Sequence, residues 1–98
     1  MTHLYHPGSI LKTEFLDEYD LSVSTAAKAL GITRARLNEI VIGARSITVD
    51  TALLLGKYFR TTPEFWLNLQ TRYDLSVGLS KAKNKLKNVK PIKEKIAA

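Results

Sequence analysis

Ser22-Val23-Ser24-Thr25-Ala26-Ala27-Lys28-Ala29-Leu30-Gly31-Ile32-Thr33-Arg34-Ala35-Arg36-Leu37-Asn38-Glu39-Ile40-Val41-Ile42-Gly43 is the stretch whose reading decides the fold. Ser22 suits a helix N-cap, because a short hydroxyl can accept from a free backbone N–H. An Ala-rich helix, Val23 to Leu30, follows, and Gly31 suits the left-handed residue that ends it. Ile32 is an apolar plug. Thr33 caps the next helix, which runs to about Ile42 and stops at Gly43. A small residue at Ala27 lets the two helices approach, Gly31 turns the chain, and Ile32, Leu37 and Ile40 pin the second helix to a core. That is the residue set of a helix-turn-helix, and an Ala-rich helical hairpin without nucleic-acid function shares part of it.

The outward face of the second helix carries chemistry. At 100° per residue, Leu37, Ile40 and Val41 fall within about 80° of Thr33 and face inward. Arg34, Ala35, Asn38 and Ile42 cluster on the opposite side. Arg34 and Asn38 are one turn apart. Arginine suits the paired acceptors of guanine and asparagine the donor–acceptor pair of adenine, while Ala35 and Ile42 can meet a thymine methyl. Glu39 is expected to pair with a neighbouring arginine. Arg45 and Ser46 are placed for a phosphate, and Arg36, off the outer face, for a phosphate contact or a salt bridge. The expected DNA-binding set is Thr33, Arg34, Ala35, Arg36, Asn38, Arg45 and Ser46.

Working outward, the remaining chain also reads as helices. Helix 1 is expected from Pro7, which suits a first helical position, to about Tyr19, with Leu11, Phe15, Leu16 and Tyr19 facing the core. Thr48 is expected to cap helix 4, with Asp50 in its first turn, and helix 4 ends near Phe59. Thr62-Pro63-Glu64 is a further start signal, and helix 5 is expected to reach about Tyr73. Its residues Phe65, Trp66, Leu69 and Tyr73 share one arc while Leu67 points away, and a helix apolar on two faces needs two partners. The second partner is expected to be another copy of the chain, with those four residues as the dimer interface. No segment alternates with period two, and there is no Asn-Gly or Asp-Gly hairpin turn. The expected class is all-α.

Length and charge set the frame. Ninety-eight residues make one small domain. The net charge of +6 is unevenly placed: residues 1–75 carry 8 basic and 8 acidic side chains, and residues 76–98 carry 7 Lys against one Glu. The expected division is therefore a helix-turn-helix domain over 6–75 and a Lys-rich tail over 76–98. Leu75, Leu79, Ala82, Leu86 and Val89 recur at helical spacing, but Pro91 interrupts the pattern, so the tail is expected to be free and to order on a partner. Basic tails can bind phosphate backbone or simply keep a protein soluble.

No catalytic set is present. The chain has no Cys, hence no disulfide, thiolate metal site or catalytic thiol. His3 and His6 alone make a poor metal site. There is no Gly-rich phosphate loop, and the adjacent Asp17 and Glu18 point apart on a helix. No cofactor and no metal are expected. No apolar run approaches the roughly 18 residues of a membrane span, and Met1 to Tyr5 hold no apolar signal region, so a cytoplasmic location is expected.

Taken together, His6-Pro7-Gly8, Ala29-Leu30-Gly31, Arg34-x-Arg36-Leu37-Asn38-Glu39-Ile40, Gly43-x-Arg45-x-Ile47-Thr48, Asp50-Thr51-Ala52 and Pro63-Glu64-Phe65-Trp66-Leu67-Asn68-Leu69-Gln70 resemble the HigA antitoxins of bacterial toxin–antitoxin modules, within the XRE-type helix-turn-helix regulators. The resemblance covers about residues 6–75. It implies a five-helix, lambda-repressor-like domain that dimerises through its C-terminal helices, binds double-stranded operator DNA to repress its own operon, and neutralises HigB, a RelE-like toxin that cleaves mRNA. Many members carry a short tail of mixed charge where this chain carries 7 Lys. Two other readings remain at this point: a stand-alone XRE-type repressor with no toxin partner, and a protein-interaction module that binds no DNA.

Overall fold

The computed structural model describes residues 5–93. Five helices form around one core: α1, Pro7–Ile10, continuing as the π-helical stretch Leu11–Leu16; α2, Val23–Leu30; α3, Arg34–Val41; α4, Val49–Phe59; and α5, Pro63–Lys87. There is no strand among the described residues.

Local signals place most of the ends. The Ser22 hydroxyl accepts from the Thr25 N–H, Thr33 from Arg36 and Thr62 from Phe65. Gly31, at φ +78°, closes α2 while the Ile32 N–H bonds back to the Ala27 carbonyl. Thr48 holds the N-cap position of α4 without capping it. Its hydroxyl turns instead to the Asp50 carboxylate, 2.6 Å away. That contact, with the hydrogen bond from Arg36, holds the Asp50 carboxyl below its ordinary range.

The first helix departs from its expected phase. Asp17 and Leu21 donate to carbonyls five residues back, Lys12 and Leu16. Such π winding needs more residues per turn than α winding. It brings Leu11 and Leu16, five apart, onto one line, and both are fully buried. Beyond the π stretch Tyr19 is carried out of the core and is 60% exposed, contrary to the expected stripe. Leu11 and Leu16 pack with Ala26, Ala27, Leu30, Leu37, Ile40, Ile47, Ala52, Leu55, Phe59 and Trp66.

The fifth helix does not stop at Tyr73. It runs 25 residues to Lys87, about 37 Å at 1.5 Å per residue, and carries the long axis of the molecule to 54 Å. The expected division after Leu75 falls inside this helix, and the Lys-rich segment expected to be free is helical as far as Lys87. The last part of that tail, 94–98, lies outside the described residues, as does His3.

Candidate nucleic-acid interface

Helix α3 is held on its inner side by Leu37 and Ile40, both with no solvent exposure. Its other side, with Arg34, Ala35 and Asn38, is exposed, and so are the N-cap Thr33 and Ile42 just past its end. The helix thus offers solvent an arginine and an asparagine stacked one turn apart on a rigid base. Gly43, at φ +83°, reverses the chain, and Ala44, Arg45 and Ser46 follow on the exposed loop.

Two basic residues of the expected set are engaged within the protein. Arg36 reaches α4: one terminal nitrogen donates to the Asp50 carboxylate at 3.2 Å and to the Thr51 hydroxyl at 3.0 Å. Its Nε is buried without a partner, and the terminal nitrogen's two hydrogen bonds tie α3 to α4. Of the two roles open to Arg36, the structure places it in the salt bridge. Arg45 donates from Nε to Glu39 at 2.8 Å, the pairing expected for Glu39. Among the described residues its terminal nitrogens have no hydrogen-bond partner, and the loop that carries it is exposed.

A polar clamp that sequence reasoning missed holds the α3–α4 loop on α5. The Ile47 N–H donates to Gln70 Oε1 at 2.8 Å, and Gln70 Nε2 donates to Asp74 at 2.9 Å. Gln70 is buried, so losing it would strand the Ile47 N–H. The only available signal was its place in the Trp66-to-Gln70 run, four residues after a buried tryptophan.

His6 closes the other side of this junction. Its ring lies against Tyr73, centroids 5.0 Å apart, and beneath Gly43, and Nδ1 accepts from the Gly8 N–H at 2.9 Å. Burial pushes the imidazole below its ordinary value, and the Asp74 carboxylate partly opposes this. Between that lowered value and the unfolded one near 6.5, the unfolded chain takes up a proton that the folded chain refuses. Stability is therefore expected to be full above about pH 6.5 and to fall as pH drops through the window below it. Thermal melts between pH 8 and 5 on the wild type and His6→Gln check this: the variant should lose that part of the slope, and identical slopes would remove His6 as its source.

The four residues expected at a dimer interface do not form one surface. Trp66 is a core residue, 0% exposed, with its indole N–H on the Thr61 hydroxyl at 2.7 Å and its ring against Phe15 and Phe59. Neighbouring positions on a helix differ by about 100°, so the side that buries Trp66 leaves Phe65 half in solvent. Leu69 and Tyr73 are half-buried, Tyr73 against His6. The exposed apolar face of α5 begins further on, at Leu75, Leu79 and Leu86.

The helix-turn-helix family model matches residues 13–66, more than half of the chain. The chain belongs to the XRE-type helix-turn-helix family. It is 50% identical over 73 residues to virulence-associated protein I of Dichelobacter nodosus, covering 74% of this chain and 68% of that one. An addiction-module antidote protein of the HigA family from Coxiella burnetii superposes with a TM-score of 0.87 at 48% identity, over 93% of this chain and 100% of its own. The Pseudomonas aeruginosa antitoxin HigA, solved with the higBA promoter, superposes at 0.89 with 37% identity over the same shares. The expected all-α, five-helix class and the HigA resemblance therefore stand, and the family is one of regulators and antitoxins, not of enzymes. Among the described residues no helix is long and apolar enough to cross a membrane.

Proposed function

We propose that the chain is a dimeric operator-binding repressor that also neutralises an mRNA-cleaving toxin of the HigB kind. The observation that carries the DNA reading is the exposed pair Arg34 and Asn38 on a helix whose opposite side is locked into the core. The likeness to an antitoxin solved with promoter DNA supports it. Arg34 and Asn38 read bases, Arg45 and Ser46 hold phosphate, and Arg36 sets the pose of α3 from within. The likeness to an addiction-module antidote protein supports the toxin half. For the dimer, the support is the face of α5 where Leu75, Leu79, Ala82 and Leu86 line a shallow groove.

Titration of DNA upstream of the gene against a scrambled duplex tests the repressor. Arg34→Ala is expected to cost about 1–3 kcal/mol on the operator and little on scrambled DNA. Arg45→Ala is expected to weaken both alike, because phosphate contacts carry no sequence information. Equal losses on both duplexes for Arg34→Ala would remove it as a base reader. Growth rescue from the product of the adjacent reading frame tests the antitoxin half, and a stand-alone repressor is what its failure would leave.

A further inference from the structure

Arg45 and Ser46 are strung between two anchors. Upstream, the Ala44 and Arg45 N–H groups donate to the Glu39 carbonyl at 2.8 and 3.2 Å, so that anchor belongs to α3 itself. Downstream, the Ile47 N–H donates to Gln70 Oε1 at 2.8 Å, so that anchor belongs to α5. It depends on which way one carboxamide points.

A glutamine amide can present either end, but both neighbours of this one are one-sided. The Ile47 N–H can only donate, and an ionised carboxylate can only accept. Gln70 Nε2 donates to Asp74 Oδ1 at 2.9 Å, which leaves Oε1 for Ile47. The flipped amide would set donor against donor at Ile47 and acceptor against acceptor at Asp74. Gln70 is 5% exposed, so little water is at hand to relieve either mismatch. A Gln–Asp pair one turn apart ordinarily adds only a little to its own helix. Here the far oxygen of the glutamine is taken by another segment, so the pair also governs the loop. Asp74 itself is exposed and stands in none of the ion pairs among the described residues. A hydrogen bond to a carboxylate is the stronger, charge-assisted kind.

We infer that Asp74 is a positioning residue for DNA contact: it fixes the Gln70 amide, and Gln70 holds the loop from which Arg45 and Ser46 reach phosphate. The inference rests on the phosphate role proposed for those two residues. By charge alone an acidic side chain opposes DNA binding. Asp74 favours it through what it holds in place. The same residue lines the α5 groove with Leu75, Gly78, Leu79, Ala82 and Leu86. A substitution there has a second route to DNA affinity, through the pairing of two copies, and the test separates the routes.

Two neutral variants are compared, because they differ in the acceptor and not in charge. Asp74→Asn keeps an oxygen for Gln70 Nε2, and Asp74→Ala does not. Position 74 is exposed and alanine favours helix, so both are expected to fold, as circular dichroism checks. Operator DNA is titrated at about pH 8, above the range in which His6 takes up a proton. Asp74→Ala is expected to bind about three- to tenfold more weakly than Asp74→Asn, the size of effect expected of one hydrogen bond. In an Arg45→Ala, Ser46→Ala background the two are expected to bind alike, because the loop no longer holds phosphate. In the free protein, hydrogen exchange of the Ile47 amide, followed by NMR, is expected to be faster in Asp74→Ala than in Asp74→Asn. Equal affinities, or equal exchange at Ile47, overturn the inference and leave the phosphate role intact. A difference of the same size in the Arg45→Ala, Ser46→Ala background overturns it too, and assigns the effect to the groove. If Arg45→Ala, Ser46→Ala binds the operator like the wild type, the phosphate role falls and the inference with it.

Discussion

A Gly8→Ala variant is expected not to fold. A methyl added at Gly8 would sit 1.8 Å from the carbonyl oxygen of Ile40, 2.8 Å from its carbon and 2.9 Å from the carbonyl oxygen of Val41. All three are backbone atoms of α3, so no side chain can swing aside. The first helix must lift off α3, and with it Leu11 and Leu16, both buried. Unseating one core leucine costs about 2–5 kcal/mol, and a domain of this size has roughly 5–15 kcal/mol in all. On propensity alone alanine would help, by about 1 kcal/mol in a helix, so the sign of the effect separates contact from propensity. Far-UV circular dichroism and a thermal melt decide it: a melt within a few degrees of the wild type would mean that α1 does not rest on α3. Gly78→Ala is the control for the fold of the single chain, read by far-UV circular dichroism, because nothing within that chain lies within 4 Å of a methyl there. It should fold like the wild type.

That clash also shows where sequence reasoning reaches its limit. Gly8 stood in the quoted motif, yet the need for glycine comes from a backbone 32 positions away. The caps at Ser22, Thr33 and Thr62 were legible because a cap is a local event between neighbours. The turn at Gly31 was legible for the same reason. Tyr19 was misplaced because a π stretch changes the angle per residue, and no residue between Leu11 and Leu16 announces it. Trp66 was misplaced because periodicity finds an apolar arc but not its partner: α5 has two, and Phe15, Phe59 and Thr61 decide which is internal. The exposure of Arg34 and Asn38 was legible, since helical phase alone sets them opposite the buried Leu37 and Ile40. Arg36 could be narrowed only to a phosphate contact or a salt bridge, because its partners Asp50 and Thr51 belong to another helix.

The longest helix carries the other large effect. A Leu79→Glu, Leu86→Glu double variant is expected to be monomeric and to lose about 10²- to 10⁴-fold in operator affinity, the usual gain from linking two binding modules. Leu79 is 59% exposed and Leu86 50%, so the charges enter water in the single chain and the domain should keep its fold. In a two-fold pair the same positions would meet their own copies, and four carboxylates would face one another across an apolar seam. Gly78 and Ala82, one turn apart on this face, leave room for the backbone of a second helix. Pairing there would set the two α3 helices to read half-sites about 34 Å apart, one turn of DNA. The lysines of the same segment, Lys81, Lys83, Lys85 and Lys87, are exposed and are tested separately, by glutamine replacement in the intact dimer. Each one lying on phosphate should take about 0.9 from the magnitude of the salt slope, and an unchanged slope would leave them a solubilising role. Sedimentation of the glutamate variant at micromolar concentration settles the seam: if it still runs as a dimer, the interface is elsewhere and the exposed leucines of α5 serve another partner.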